Sequence, residues 1–121
     1  MAAPNLVNVS TITAKSVQAA LTVTLTTEIL ANAAASGKVY KINNIIVSNI
    51  DGTNSADASV FITKSGGSPI AIASTIAVPA DSTLVVVDKN TSIYLEEGDN
   101  IEAGASADSD LVITINYEEL S

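Results

Sequence analysis

Leu111-Val112-Ile113-Thr114-Ile115-Asn116-Tyr117-Glu118 is the stretch that decides the fold of this chain. Leu111, Ile113, Ile115 and Tyr117 occupy every second position, and Val112, Thr114, Asn116 and Glu118 fill the places between. Successive side chains of a β-strand point to opposite faces, so this run lays one face on a core and turns the other outward. A helix would scatter the same apolar set around its circumference.

The period of two recurs upstream. Leu21, Val23, Leu25 and Ile29 alternate with Thr22, Thr24, Thr26 and Glu28; Val60 and Ile62 alternate with Ser59 and Thr63. Ile70, Ile72, Ile76 and Val78 alternate with Ala71, Ala73, Thr75 and Ala77. Turn-forming clusters separate these runs, among them Asp51-Gly52-Thr53-Asn54, Ser65-Gly66-Gly67-Ser68-Pro69 and Glu97-Gly98-Asp99-Asn100. In the last of these, Gly98 is suited to a positive φ and Asp99 to bonding its own backbone. The pattern predicts about eight or nine strands, near residues 5–14, 20–30, 38–50, 58–64, 70–78, 83–88, 93–95, 100–105 and 111–120. The alanines of residues 29–36 would suit one helical turn. The fold class is all-β: an antiparallel β-sandwich, jelly-roll-like, in one domain over residues 1–121.

Val39 to Ile50 departs from simple alternation. Read as an unbroken strand, it places Val39, Ile45 and Val47 on one face and Tyr40, Ile42, Ile46 and Ile50 on the other. A strand apolar on both faces belongs in the middle of a sheet and is covered on both sides. In so small a protein another subunit can supply the second cover.

Composition narrows function by exclusion. The chain has no His, Cys, Arg or Trp, one Phe and three Tyr. It therefore lacks the side chains that most often transfer protons near neutral pH, attack as thiolates or clamp anions in a bidentate fork. The five lysines are scattered singly and the net charge is −8. A phosphate backbone or an anionic membrane surface would be repelled, so neither nucleic acid nor membrane is an expected partner. The N-terminus lacks the basic and apolar regions of a secretory signal.

The remaining motifs read as structure. Asn32-Ala33-Ala34-Ala35-Ser36-Gly37-Lys38-Val39 lacks the first Gly and the final Ser or Thr of a phosphate loop, and reads as a strand connection. Glu96–Glu97 and Glu118–Glu119 are sequence neighbours, and neighbours on a strand point apart, which suits no shared proton. Asp51, Asn54 and Asp57, and Asp108 with Asp110, lie in polar loops without a calcium-loop pattern. Serines are plentiful, but a serine nucleophile needs an adjacent base, and the chain has no His and no Ser-x-x-Lys spacing. No catalytic residue, cofactor or metal is expected, and the chain reads as a non-enzyme.

The stretch from Val78-Pro79-Ala80-Asp81-Ser82 through Lys89-Asn90-Thr91-Ser92-Ile93-Tyr94-Leu95-Glu96-Glu97-Gly98-Asp99 is the most specific in the chain. Together with residues 32–38, Val47-Ser48-Asn49-Ile50-Asp51-Gly52-Thr53 and the ending Tyr117-Glu118-Glu119, it resembles a family of small virion structural proteins of tailed bacteriophages, particularly phages of marine cyanobacteria. The resemblance implies a particle component with a β-sandwich fold. The expected localisation is the virion, after synthesis in the host bacterial cytoplasm.

The expected function is structural. The chain would self-assemble, as a trimer in the preferred form, and attach to phage capsid or tail proteins as a capsid decoration or cement protein, or as a neck or tail component. The expected contact residues are Leu6, Val7, Val9 and Ile12 in the N-terminal segment and Val39, Tyr40, Ile45 and Val47 in the doubly apolar strand. Residues 1–14 suit an arm that adds to a neighbour's sheet, and equally an ordinary edge strand. The alternative is a tail module binding a host-surface carbohydrate or receptor. It would have to stack sugars on Tyr40, Phe61, Tyr94 or Tyr117.

Overall fold

A computed structural model describes residues 5–121. Nine strands follow one another among these residues: β1 (Ile12–Ala20), β2 (Thr27–Ala31), β3 (Val39–Asn49), β4 (Ala56–Thr63), β5 (Ile70–Val78), β6 (Thr83–Val87), β7 (Ile93–Leu95), β8 (Asn100–Ala105) and β9 (Leu111–Leu120). One sheet has the order β1-β9-β3-β6, with β7 paired to the first part of β3; the other has the order β2-β8-β4-β5. All pairings are antiparallel. The first strand pairs with the last, β2 with β8, β3 with β6 and β7, and β4 with β5. A long antiparallel ribbon rolled up on itself gives this nesting, which is the jelly-roll topology.

The alternating run of β9 is the centre of the core. Leu111, Ile113 and Ile115 are fully buried, and they join Ile42, Ile45 and Leu95 of their own sheet and Val60 and Ile101 of the other in one apolar cluster. Tyr40 and Tyr117 close the cluster at one end, with ring centroids 5.1 Å apart.

Four expectations need correction. The first concerns residues 5–14, where no single strand forms. Leu6–Asn8 is a 3-10 turn capped by Asn5, whose Oδ1 accepts from the Val7 N–H at 2.9 Å, and the strand runs from Ile12 to Ala20. An Asn side chain offers the backbone a local partner and so competes with a sheet ladder.

The second concerns residues 20–30, where only Thr27–Ala31 is strand. Residues 21–26 form a strap across β8. Leu21 is buried, while Val23 and Leu25 are exposed. The strap is tied by the Leu21 N–H to the Leu111 carbonyl, the Ala105 N–H to the Thr22 carbonyl, and the Val23 N–H to Asp108 Oδ1. Backbone groups that leave a sheet must find partners elsewhere, and these are the partners. The alanines of residues 33–35 likewise form a turn, with Ala35 at φ 57°, rather than a helical turn.

The third correction concerns the faces of β3. The strand is central, between β9 on one side and β6 and β7 on the other. Its register against β9 shifts between Ile42 and Asn44. A bulge adds one residue and reverses which side chains face inward. Tyr40, Ile42, Ile45, Val47 and Asn49 are therefore all buried, although an unbroken strand would split them between two faces. Their cover is the chain's own second sheet.

The fourth concerns β5. Of its isoleucines, Ile70, Ile72 and Ile76 are exposed, and only Val78 of the alternating set is buried. Among the described residues β5 pairs β4 alone and is the end strand of its sheet.

Candidate assembly surface

The residues of β5, Ile70-Ala71-Ile72-Ala73-Ser74-Thr75-Ile76-Ala77-Val78, carry no charge, and the uncharged stretch extends from Ser65 to Ala80. Ile70 is 65% exposed, Ile72 40% and Ile76 41%. Among the described residues no strand pairs the outer edge of β5. Charges, prolines, bulges or a covering loop are the usual protections of such an edge. β5 has only the bulges: its register with β4 shifts between Ala58 and Val60 and again between Val60 and Phe61.

The first shift is held in place by side chains. Thr75 sits at φ 53°, a left-handed conformation that a β-branched residue rarely adopts. Such a residue carries about 1–2 kcal/mol of strain. The Thr75 N–H donates to Ser59 Oγ at 3.0 Å, and Ser59 is buried under the strap. The Asp57 N–H donates to Ser106 Oγ at 2.8 Å alongside. Thr75, Ser59, Ala105, Val23 and Leu25 line a shallow cleft of about 270 Å³ that opens beside β5. Asp57 and Ser106 complete the lining of the cleft, so edge, cleft and strap make one mainly apolar surface that holds a single carboxylate.

The positive charges lie elsewhere. Lys15 and Lys38 both reach the Glu119 carboxylate, at 3.0 Å each, and Lys64 bonds Asp99. Glu119 is buried, whereas its neighbour Glu118 is less so. Burial alone pushes the Glu119 carboxyl up, but the hydrogen bonds and charges of Lys15 and Lys38 outweigh it, and the group lies below its ordinary 4.5. A carboxyl whose pKa is depressed on folding adds stability above its unfolded pKa and loses it as pH falls through the folded one. Thermal stability should therefore decline once pH drops below about 4.5. Glu119→Gln should flatten that decline in a pH series of melting curves.

The Glu97-Gly98-Asp99 turn forms as its sequence suggests. Gly98 has φ 85°, and Asp99 Oδ2 accepts from the Glu96 N–H at 2.8 Å. The acidic loops are also explained locally. Asp51 accepts from the Thr53 and Asn54 N–H groups, which hold its carboxyl below the ordinary value, and Asp108 anchors the strap. Asn32 of the loop-like motif is buried and ties strand ends together, donating to the Lys38 and Leu95 carbonyls.

The expected contact residues separate into two groups. Leu6, Val7 and Ile12 are exposed, Val7 at 88%, and Val9 is half-buried. Val39, Tyr40, Ile45 and Val47 are buried within the single chain, Ile45 and Val47 completely. The latter group is corrected on that ground: side chains already packed against the second sheet have no surface to offer a neighbour. The exposed apolar residues that the sequence reading did not single out are Ile70, Ile72, Ile76, Val23 and Leu25. Their signal was present in the run of 16 uncharged residues from Ser65 to Ala80.

No family model and no curated protein matches this chain. The functional reading therefore rests on the surface itself and on the sequence resemblance.

Proposed function

We propose that this chain is a non-enzymatic structural subunit of a phage virion. It associates with copies of itself, as a trimer, and attaches to the capsid or tail as a decoration, cement, neck or tail component. The observation that carries the reading is the exposed, uncharged edge of β5 on a protein whose net charge is −8. Like charges oppose self-association over most of such a surface, and an apolar stretch free of charge is where copies can meet. The resemblance to small virion proteins points the same way.

The test is solution mass by light scattering behind a sizing column, with and without EDTA. The expected mass is three times the 12.3 kDa chain, unchanged by the chelator. An interface of ordinary size, about 1,600 Å² in total, would hold it. Ile72→Lys should weaken the association at least about tenfold, because an unpaired ammonium would be buried where an isoleucine packs. A monomer at micromolar concentration that also fails to bind phage particles would overturn the proposal.

The alternative, a module for a host carbohydrate or receptor, has less to support it. Tyr40 and Tyr117 are buried and pack on each other with rings tilted by 35°, and Tyr94, at 44% exposure, is the tyrosine left to offer a ring face.

A further inference from the structure

Taking self-assembly as the starting point, we infer that the segment before β1 of one copy lies along the free edge of β5 in the next copy. Residues 5–9 carry the contact, and they extend the β2-β8-β4-β5 sheet by one strand.

The segment is built to leave its own molecule. Residues 1–14 contain no charge. Leu6 is 52% and Val7 88% exposed, and the 3-10 turn they belong to buries none of its residues. Two local bonds hold that turn, Asn8 N–H to the Asn5 carbonyl and Val7 N–H to Asn5 Oδ1, both at 2.9 Å. The chain is then pinned to the sandwich at Ser10 and Thr11, whose N–H groups donate to the Ser121 carbonyl. Opening the turn breaks little and frees a short apolar strand.

The edge is built to receive it. β5 is the end strand of its sheet and leaves its outer edge open, apart from the Thr75 N–H and Val78 carbonyl, which have partners, with Ile72, Ile76 and the cleft beside Thr75 to take apolar side chains. Addition of a strand to an exposed edge draws affinity from main-chain hydrogen bonds and specificity from the side-chain pockets beside them. The arm and the β5 strand carry no charge, and Asp57 is the one charged residue in the cleft beside them, so their contact avoids most of the repulsion that a net charge of −8 imposes elsewhere.

A second copy is the fitting donor for geometric reasons. β1 and β5 lie at opposite edges and in different sheets. Strands are about 4.8 Å apart and packed sheets about 10 Å, so the way round to the chain's own β5 is about 20 Å. The nine residues before Ser10 span at most about 32 Å when fully extended, so only about three would remain to pair, and residues 5–9 would be used up in the crossing. Pairing of β5 with β5 of another copy is also disfavoured, because its two register shifts would interrupt both sides of the same ladder. A head-to-tail contact between arm and edge gives a ring of three when each step turns the next copy by about 120°.

The chain has no cysteine, so introduced pairs report without background. Val7→Cys combined in turn with Ala71→Cys, Ser74→Cys and Ala77→Cys should give covalent oligomers on a non-reducing gel after mild oxidation. Val7→Cys with Gln18→Cys is the control and should not. Removal of residues 1–9 should raise the dissociation constant at least tenfold and leave the thermal transition of the subunit in place. An oligomer that survives the truncation and forms none of these cross-links would overturn the arm contact and leave self-assembly standing. A cross-linked monomer, with the arm on its own β5, would overturn it as well. An intact chain that is monomeric overturns both proposals.

Discussion

Gly104→Ala is expected to destabilise the protein by about 3 kcal/mol, against the direction that strand propensity predicts. Alanine normally gains about 0.5–1 kcal/mol over glycine within a strand. Here a Cβ at position 104 would lie 2.6 Å from the Thr24 carbonyl oxygen and 2.9 Å from the Leu25 nitrogen, and would collide with the Leu25 Cα. All three are backbone atoms, so no side chain can swing aside. The strap must lift, and the hydrogen bonds joining Ala105 to Thr22 and Val23 to Asp108 go with it. In a domain of this size the loss should lower the melting temperature by on the order of 10 °C, measured by circular dichroism. An unchanged or higher melting temperature would mean that the strap does not rest on β8.

Asp99→Ala is expected to cost a similar amount, about 3 kcal/mol. Asp99 is 2% exposed, and its carboxylate accepts from the Ser65 N–H at 3.0 Å and the Glu96 N–H at 2.8 Å as well as from Lys64. Alanine would leave two backbone donors unpartnered at a junction of two turns, and each orphaned donor costs about 1–3 kcal/mol. The exposed Lys64 ammonium contributes less, because solvent screens it. Asp99→Asn keeps one acceptor oxygen and should lose roughly half as much. Burial raises the Asp99 carboxyl, and the bonds from Lys64, Ser65 and Glu96 together bring it below its ordinary 3.8. The stabilisation is thus complete above that value and is lost as pH falls through the lowered pKa. The gap between the native chain and Asp99→Ala should therefore close in strong acid. Urea titrations at several pH values would show whether it does.

The parts of this fold that could be read from sequence are those where one rule acts alone. β9 alternates without interruption, pairs on both sides and is buried as its pattern demands. The Gly98-Asp99 turn is legible because a positive φ and a backbone-bonding side chain are local needs. Reading failed where tertiary structure changed the count. One extra residue near Asn43 turned a strand with one buried face into an apparent strand with two. The alternation of Leu21, Val23 and Leu25 looked like a strand, yet the glycine that admits their backbone lies about 80 residues away in β8. The exposed isoleucines of the candidate surface were not singled out for a related reason. Hydrophobic alternation marks a strand, but it does not say whether the strand ends a sheet, and Ile70, Ile72 and Ile76 are exposed because β5 does. The exposure of Leu6 and Val7 agrees with their place in an uncharged apolar segment outside the regular pattern.

The pairing of β1 with β9 also sets the order of events during synthesis. β9 lies between β1 and β3, and its ladder joins Ile12 to Leu120. Contacts of such long sequence separation make sandwich folding slow, in the range of milliseconds to seconds. Until residues 111–120 leave the ribosome, β1 has no strand to join and β3 lacks one of its neighbours. The nascent chain must therefore wait, with its apolar strands unsatisfied, and the sandwich closes only after its last strand has emerged.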